Sequence, residues 1–357
     1  MQGAGAGLPD GAYALGPPEA TGVIRREPED FEVTELPLSQ PEGEGTHLWL
    51  EVRKRGANTQ WIAERLASAA GVPVRDVGFA GMKDRRAVTT QWFSVALQEA
   101  DDADWSRWDL PDADILQAAL HPKKLRRGTL KGNRFRLVVR DLGGDRDSLD
   151  RRLEAIGDHG VPNYFGPQRF GREGGNLARA AHWLRGGRRP PRRLRTIYLS
   201  AVRSYLFNQV LSCRVAARNW NRLIDGDVAV LDGSRSVFPC RLPDPELDTR
   251  CAEFDLHPTG PLPGRPRRPE PEREAARIEA AALAAESGLI DALAGQGVEA
   301  GRRSLRLRPA GLEHRWDGDA LELAFTLPPG AYATSLLREL VSTQPDTISE
   351  AEAGRKR

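Results

Sequence analysis

The chain has 357 residues, of which 39% are hydrophobic and 29% charged, and its formal net charge is +2. That length suffices for two domains, since a domain commonly holds about 100–200 residues. The sequence has no run of about 18 apolar residues that could span a bilayer and no stretch typical of a secretory signal. Its three cysteines form no Cys-x-x-Cys pair. We therefore expect a cytoplasmic protein without membrane attachment.

Basic residues concentrate in two stretches, although the net charge is small. Residues 121–140 contain eight Lys or Arg and no acid, and residues 185–195 contain six Arg and no acid. Such stripes are typical of proteins that bind nucleic-acid phosphates. An ion-paired protein surface accounts equally well for either stripe taken alone.

The first part of the chain predicts short strands and one helix. Residues 1–20 are rich in Gly, Ala and Pro and predict a loose leader. Residues 48–54 are typical of a strand. Asn58 or Thr59 can cap the helix that follows, which ends at Gly71. This mixture of elements indicates an α+β domain.

Residues 77–95 read VGFAGMKDRRAVTTQWFSV and predict two strand-like segments on either side of a polar loop. The loop carries one carboxylate, Asp84, between the cations Lys83 and Arg85. By composition alone, this pattern favours a solvated turn in which the neighbouring cations neutralise the carboxylate. The acidic stretch that follows, residues 99–114, predicts an exposed connection.

A regular alternation predicts a strand over residues 133–140, with Phe135, Leu137 and Val139 on one face. The next apolar residues recur with helical spacing and predict a helix that ends at Gly157. Up to this point the chain continues to mix strands and helices.

Helical patterns predominate in the second half of the chain. The sequence predicts helices over residues 177–184, 200–217 and 272–293. It predicts a surface loop at residues 258–271, where Pro and Arg are frequent. Towards the C-terminus the alternation of a half-buried strand returns at residues 320–327, and a short helix follows. We therefore expect a helix-rich region inserted into an α+β domain.

Residues 81–92 read GMKDRRAVTTQW and resemble the central motif of the TruD family of tRNA pseudouridine synthases, Gly-x-Lys-Asp-x-x-Ala-Val-Thr-x-Gln-Trp. Five further blocks resemble the family in the same order: GVIRREPEDFEV at 22–33, GTLKGNRFRL at 128–137, VPNYFGPQRFG at 161–171, LSAVRSYLFNQ at 199–209 and PGAYATSLLREL at 329–340. One such motif alone would be a weak signal. Six motifs in the family's order, covering nearly the whole chain, are a strong one.

The resemblance implies an α+β fold in which a catalytic domain is interrupted by an insertion domain. The catalytic domain, residues 1–158 and 304–345, is expected to contain the mixed or antiparallel sheet of pseudouridine synthases. Residues 159–303 are expected to form the family's helix-rich α/β insertion domain, and residues 346–357 a disordered tail.

The activity that the resemblance implies is that of a tRNA pseudouridine synthase, an isomerase that converts uridine 13 in the D-arm to pseudouridine. The base must leave its stack before it reacts. Because isomerisation needs neither a redox step nor a group donor, we expect no cofactor and no metal, with tRNA as the partner of a monomer. Asp84 is implied as the nucleophile, and attack at C6 of uracil or at C1′ of ribose both stay open.

Five other side chains are implied at the site by their family positions. Arg25 is the basic partner of the nucleophile, at a position where many relatives have Lys. Asn133 and Phe135 share one face of a strand, where the amide would hydrogen-bond the uracil and the ring would stack on it. Phe31 and Tyr332 would line the pocket, and Tyr332 replaces the phenylalanine expected from the family.

The basic side chains that would contact the tRNA backbone are Lys83, Arg85, Lys123, Lys124, Arg126, Arg127, Lys131, Arg188, Arg189, Arg192 and Arg193. A metal hydrolase or deaminase does not fit the sequence, because the six histidines are scattered and no His-x-Glu motif precedes a Pro-Cys-x-x-Cys. The alternative that stays open is a non-catalytic RNA-binding module or RNA chaperone, which would use the basic stripes without Asp84.

Overall fold

The computed structural model describes residues 11–97 and 105–343, which divide into two compact units. The sheet unit comprises residues 19–97, 105–145, 310–330 and 341–343. The helical unit comprises residues 11–18, 146–309 and 331–340. The predicted division into a catalytic domain and an insertion domain stays a prediction.

Strands and helices alternate along much of the chain. In the described ranges the helices are α1 (Thr59–Ala69), α2 (Arg146–His159), α3 (Gly175–Leu184), α4 (Arg192–Ala216), α5 (Pro245–Ala252), α6 (Arg273–Leu283), α7 (Ser287–Gly295) and α8 (Ala333–Leu340). The strands are β1 (Thr21–Ile24), β2 (Phe31–Pro37), β3 (His47–Arg55), β4 (Val77–Phe79), β5 (Val88–Ala96), β6 (Ala113–His121), β7 (Leu130–Gly143), β8 (Val161–Pro162), β9 (Val228–Leu231), β10 (Val237–Pro239), β11 (Leu256–Leu262), β12 (Gly301–Ser304), β13 (Arg306–Leu307), β14 (Ala310–Asp317), β15 (Ala320–Leu327) and β16 (Ser342–Thr343). None of these helices is long and apolar enough to cross a membrane.

The sheet unit is built around a mixed sheet with the strand order β14-β15-β7-β2-β5-β3-β6. Along this path β2 and β5 are parallel, and the other neighbours run antiparallel. β1 pairs with β7 and β16, and β4 pairs with β5. This mixed sheet, combined with the helices, agrees with the predicted α+β class.

β7 lies between β15 and β2, and its sequence alternation explains why it can occupy that place. Phe135, Leu137 and Val139 are buried, as predicted, while Arg134 and Arg136 are exposed. β7 thus contributes one apolar face to the core and leaves a charged face outside.

α1 packs on this sheet through its apolar side. Asn58 is the cap, since its side chain accepts a hydrogen bond from the main-chain N–H of Trp61 at 2.7 Å. Ile62 and Leu66 are fully buried in a core cluster that also contains Phe93 of β5. The apolar spacing within α1 therefore fixes which of its sides faces the strands.

α4 is the longest helix of the helical unit, and it begins at Arg192 rather than at residue 200 as predicted. Leu206 and Val210 belong to one core cluster, together with residues of α3 and α7. Phe207 and Leu211 belong to a second cluster. A helix that buries residues on two sides explains why its apolar pattern is broader than that of a surface helix.

The predicted surface loop at residues 258–271 is wrong at its beginning, because Leu256–Leu262 forms β11. Pro258 lies opposite Ala229 of β9, whereas Pro261 lies opposite Arg302 of β12. The first half of β11 pairs with β9 and the second half with β12, so each proline has a neighbouring strand on one side only. A missing N–H is tolerated at such a position.

The predicted loose leader is also wrong for the part that the structure describes. The main-chain N–H of Ala12 donates to Ser212 Oγ at 3.0 Å. The N–H groups of Ala14 and Leu15 donate to Glu339 Oε2 at 3.0 and 3.1 Å. These contacts hold the segment, because they satisfy main-chain donors that a loose leader would leave to water.

Other predicted bounds differ in smaller ways. The helix predicted over residues 272–293 is two helices, α6 and α7, joined by a short 3-10 turn at Ala284–Glu286. Residues 99–104 of the predicted acidic connection at residues 99–114, and all of the predicted tail at residues 346–357, lie outside the described ranges.

Gly78 of β4 lies where another main-chain segment passes closely. A Cβ at this position would lie 2.3 Å from Leu125 O and 2.6 Å from Ser94 Oγ. Gly78→Ala should therefore lower the free energy of unfolding by about 1–3 kcal/mol, measured by urea denaturation. Gly157→Ala in α2 is the control, since a Cβ there meets nothing within 4 Å, and it should raise that free energy by about 0.5–1 kcal/mol. Equal stability of Gly78→Ala and wild type would contradict the close approach.

Candidate active site

The loop of residues 80–87 connects β4 to β5 and carries Asp84; we call it the Asp84 loop. Two buried side chains bind its main chain. Thr59 Oγ1 accepts a hydrogen bond from the N–H of Lys83 at 2.9 Å, and Gln91 Nε2 donates to the carbonyl of Gly81 at 3.2 Å. Thr59 in turn donates to Gln91 Oε1 at 2.8 Å. The loop is therefore tied to α1 and to β5, and it is not a freely solvated turn.

Arg25 contacts the carboxylate of Asp84, with 2.7 Å between Nη2 and Oδ2. The side chain of Asp84 is 57% exposed. The guanidinium carbon of Arg25 also lies 3.9 Å from the centroid of the Phe31 ring. Arg25 has a φ of 59°, a costly conformation for a residue other than glycine. The contact balances the charge of a carboxylate that solvent can still reach.

Two of the three aromatic residues predicted for the pocket, Phe31 and Phe135, are buried and pack against each other. The rings of Phe31 and Phe135 meet edge to face, with 6.2 Å between centroids. Phe135 also stacks on Phe325 of β15, at 5.4 Å and an interplanar angle of 21°. Phe135 is only 7% exposed, so most of its ring is already in contact with protein. Its role in stacking on uracil stays a prediction.

Asn133 precedes Phe135 by two residues on β7 and pairs across the sheet with Glu35 of β2. Its Oδ1 atom is buried and has no hydrogen-bond partner among the described residues. Buried amide oxygens are nearly always paired in folded proteins. An unpaired amide oxygen can accept a hydrogen bond, but protein atoms enclose this one.

Tyr332 belongs to the helical unit, whereas the other predicted site residues belong to the sheet unit. Its ring packs against Phe165, with 6.2 Å between centroids, and lies 5.9 Å from the guanidinium carbon of Arg169. Its predicted role in lining the pocket is not tested by these contacts and stays a prediction.

Lys83 points into the protein, where its Nζ atom lies 2.7 Å from Glu35 Oε2. The side chains of Lys83 and Glu35 are 6% and 1% exposed. Because its ammonium is buried and paired, we leave Lys83 out of the residues proposed to contact RNA phosphates. Its neighbour Arg85 is exposed, and its Nε donates to the carbonyl of Gly56 at 3.1 Å.

Lys54 is a second buried lysine near the loop, and its burial was not predicted from the sequence. Its Nζ donates to the carbonyl of Ala57 at 2.7 Å and to the carbonyl of Asp84 at 3.0 Å. Burial lowers the pKa of Lys54 to about 8, an effect that the charge of Asp84 opposes and that of Lys83 reinforces. The sequence signal was its position on β3, in the same alternating phase as the buried Val52.

Some basic side chains of residues 121–140 form ion pairs with acidic residues, and others are exposed to solvent. Arg136 contacts Glu32 and Glu322, and Arg140 contacts Asp30. These two arginines are therefore part of an ion-paired surface. The predicted phosphate-binding residues in this stretch that are exposed are Lys123, Arg126, Arg127 and Lys131.

Two members of that predicted set have further contacts. Lys124 is half-buried and donates a hydrogen bond to the carbonyl of Arg75. The guanidinium carbon of Arg127 lies 3.8 Å from the centroid of the Phe79 ring, and burial lowers the pKa of Arg127. In the helical unit Arg188, Arg189, Arg192 and Arg193 are all exposed, at and before the N-terminus of α4.

Metal-ligating side chains do not cluster in the part of the chain that the structure describes, where no group of three or more His, Cys, Asp or Glu could hold a metal ion. His257 and Asp232 contact each other at 2.9 Å in the helical unit. Arg306 Nε donates to the other ring nitrogen of His257 at 3.2 Å, and burial lowers the pKa of this histidine. Both ring nitrogens are thus used within the protein.

A family model of tRNA pseudouridine synthase D (TruD) matches residues 10–187 and 175–340 of the chain. The chain belongs to the TruD family. The match includes both units and all six residues predicted for the TruD site, and it confirms the resemblance seen in the sequence blocks.

Several TruD proteins are similar over nearly their full length. The tRNA pseudouridine synthase D of Nitrosococcus oceani is 46% identical over 338 residues, which are 93% of this chain and 94% of that protein. The protein of the same name from Xanthomonas campestris pv. campestris is 47% identical over 335 residues, 90% of this chain and 91% of its own. A crystal structure assigned to TruD of Methanosarcina mazei covers 92% of this chain and 95% of its own, with a TM-score of 0.70 and 23% identity. This last similarity confirms the fold.

The buried pair of Lys83 and Glu35 should stabilise the fold of this TruD protein only while both partners are present. Lys83→Met leaves the Glu35 carboxylate buried and unpaired, so it should lower the free energy of unfolding by about 3–5 kcal/mol in urea denaturation. The double variant Lys83→Met, Glu35→Gln is the control and should recover much of that loss. If the loss in the double variant equalled the sum of the losses in Lys83→Met and Glu35→Gln, the two side chains would not be coupled.

Proposed function

We propose that the protein isomerises uridine in tRNA to pseudouridine, at position 13 in the D-arm as the family resemblance implies, with Asp84 as the nucleophile. Membership of the TruD family supports the reaction class. The single observation that carries the assignment of Asp84 is its 2.7 Å contact with Arg25 combined with the 57% exposure of its side chain. This carboxylate is both charge-balanced and accessible to a substrate.

The reaction breaks the bond from uracil N1 to ribose C1′ and forms a bond from uracil C5 to the same carbon. The proton that leaves C5 is matched by the proton that N1 gains, so substrate and product are isomers and no co-reactant is consumed. Asp84 would form a covalent intermediate at C6 of the base or at C1′ of the sugar. In either case the carboxylate is the attacking group, and the guanidinium of Arg25 lies 2.7 Å from one of its oxygens.

The extruded base needs a surface and a hydrogen-bond partner once it leaves its stack. The unpaired Oδ1 atom of Asn133 supports a contact with the N3–H group of uracil. The packed rings of Phe31 and Phe135 support an apolar wall next to Arg25. A phenyl ring cannot accept a proton, so Phe135 would hold the base without taking part in proton transfer. Tyr332 stays a proposed substrate contact.

The tRNA backbone would be bound by basic side chains of both basic stretches and by Arg85 of the Asp84 loop; all of them are exposed except Lys124, which is half-buried. The proposed set is Arg85, Lys123, Lys124, Arg126, Arg127, Lys131, Arg188, Arg189, Arg192 and Arg193. Such contacts release counterions from the RNA, so they give an affinity that falls with salt.

Asp84→Ala should abolish pseudouridine formation while tRNA binding stays within about twofold, because the carboxylate supplies covalent chemistry rather than affinity. The measurement is tritium release from tRNA that carries 5-tritiated uridine, with binding followed separately. Asp114→Asn, which changes another exposed carboxylate of the sheet unit, is the control and should retain full activity. Binding without turnover in the wild type would support the RNA-binding module or chaperone and would overturn the proposed function.

Replacing Arg188, Arg189, Arg192 and Arg193 with Gln should weaken tRNA binding and reduce the slope of log affinity against log salt by up to about 3. The turnover number on saturating tRNA should change little, since these side chains would hold the backbone only. A control set of exposed arginines outside the basic stretches is Arg218, Arg235, Arg241 and Arg267. An unchanged salt slope in the first variant would remove these four residues from the RNA interface.

A further inference from the structure

The Asp84 loop is bound from behind by a lysine that the proposed mechanism does not use. Lys54 is 1% exposed, although it lies at the end of a strand whose other inward residues, such as Leu50 and Val52, are apolar. Its Nζ atom donates to two main-chain carbonyls, at Ala57 and at Asp84 itself. A buried ammonium is costly unless such partners compensate it. An apolar residue at this place would avoid that cost, so the presence of an amine needs a reason.

The two carbonyls belong to different segments. Ala57 lies between β3 and α1, whereas Asp84 lies between β4 and β5. The ammonium therefore links the start of α1 to the residue that carries the nucleophilic carboxylate. The hydrogen bond to Asp84 is made at its main chain, which leaves both carboxylate oxygens available to Arg25 and to a substrate.

We propose that Lys54 is a positioning residue, whose ammonium fixes the main chain at Asp84 and thereby holds the carboxylate in the orientation needed for attack. This role rests on the proposed function, because it presumes that Asp84 reacts with the nucleotide. The side chain acts through Asp84 and does not touch the substrate.

The charged groups around Lys54 give this role a pH dependence. Asp84 attracts the ammonium, Lys83 repels it, and the charge of Lys83 is balanced by Glu35. Burial lowers the pKa of Lys54 to about 8, below its ordinary value of 10.5. The ammonium is thus charged below about pH 8 and loses its proton above it. The neutral amine is the weaker donor, so positioning should weaken as pH rises through 8.

Fold stability should change with pH in the opposite direction. Because the pKa of Lys54 is lower in the folded than in the unfolded protein, the folded state binds fewer protons between about pH 8 and 10. This difference makes the contribution of Lys54 to stability more favourable as pH rises. Activity and stability therefore respond differently, which separates positioning from a merely structural role.

The test compares Lys54→Met with wild type in tRNA pseudouridine formation between pH 6 and 9.5. We expect the kcat of Lys54→Met at pH 7 to fall about 10- to 100-fold, with KM for tRNA within about twofold, since a small misplacement of a reacting group has an effect of that size. The wild-type kcat should decline above about pH 8, and the variant should lack that decline. Arg53→Met, on the exposed side of the same strand, is the control and should resemble the wild type.

Three results would overturn the proposal: a kcat of Lys54→Met within twofold of wild type, a KM that rises as much as kcat falls, or an unchanged alkaline decline in the variant. If Lys54→Met does not fold, Lys54→Gln replaces it, because its amide is uncharged and can still donate a hydrogen bond.

Hydrogen exchange of the full chain separates this proposal from the proposed function. Loss of the Lys54 anchor should accelerate amide exchange at residues 83–86 and leave β7 unchanged. If the wild type forms no pseudouridine, the proposed function fails. In that case faster exchange at these residues still supports the anchoring of the loop, and unchanged exchange overturns it.

Discussion

The exposed carboxylate of Asp84 keeps one orientation only if the main chain that carries it is held in place. Buried polar side chains hold it through hydrogen bonds. Thr59 and Gln91 bind the main chain of the Asp84 loop on one side, and Lys54 binds the carbonyl of Asp84 itself. Each of these partners lies on a helix or a strand of the sheet unit. The loop therefore inherits the rigidity of regular elements, which is what a preorganised site requires.

The charges around this loop are balanced in three different ways. Lys83 is buried and forms an ion pair with Glu35. Lys54 is buried, which lowers its pKa to about 8, and its ammonium donates hydrogen bonds to two main-chain carbonyls. Arg25 is partly exposed and contacts the carboxylate of Asp84 directly, in a main-chain conformation that is unfavourable for arginine. Strained residues of this kind are frequent at functional sites, where surrounding contacts hold them in place.

Regular patterns in the sequence predicted the elements that depend on local periodicity, and the failures have physical causes. The alternation in β7 and the helical spacing in α3 correspond to the observed elements. β11 was missed because its prolines suggested a loop, although a strand that pairs on one side at a time tolerates them. Lys54 and Glu35 were missed because charged residues are usually solvated. Lys54 lies two residues after the buried Val52, and Glu35 lies two residues after the buried Val33. Alternate residues of a strand share one face, so these positions could have predicted their burial.

The site residues were predicted from family resemblance rather than from periodicity. Their proposed roles require that they all contact the same nucleotide. The most direct measurement is a crystal structure of the Asp84→Asn variant bound to an RNA stem-loop that contains the target uridine of the D-arm. We expect this uridine to be extruded, with C1′ or C6 within about 3.5 Å of the side chain of residue 84 and its N3–H group facing Asn133. An RNA bound with the uridine still stacked, or with residue 84 remote from the base, would contradict this expectation.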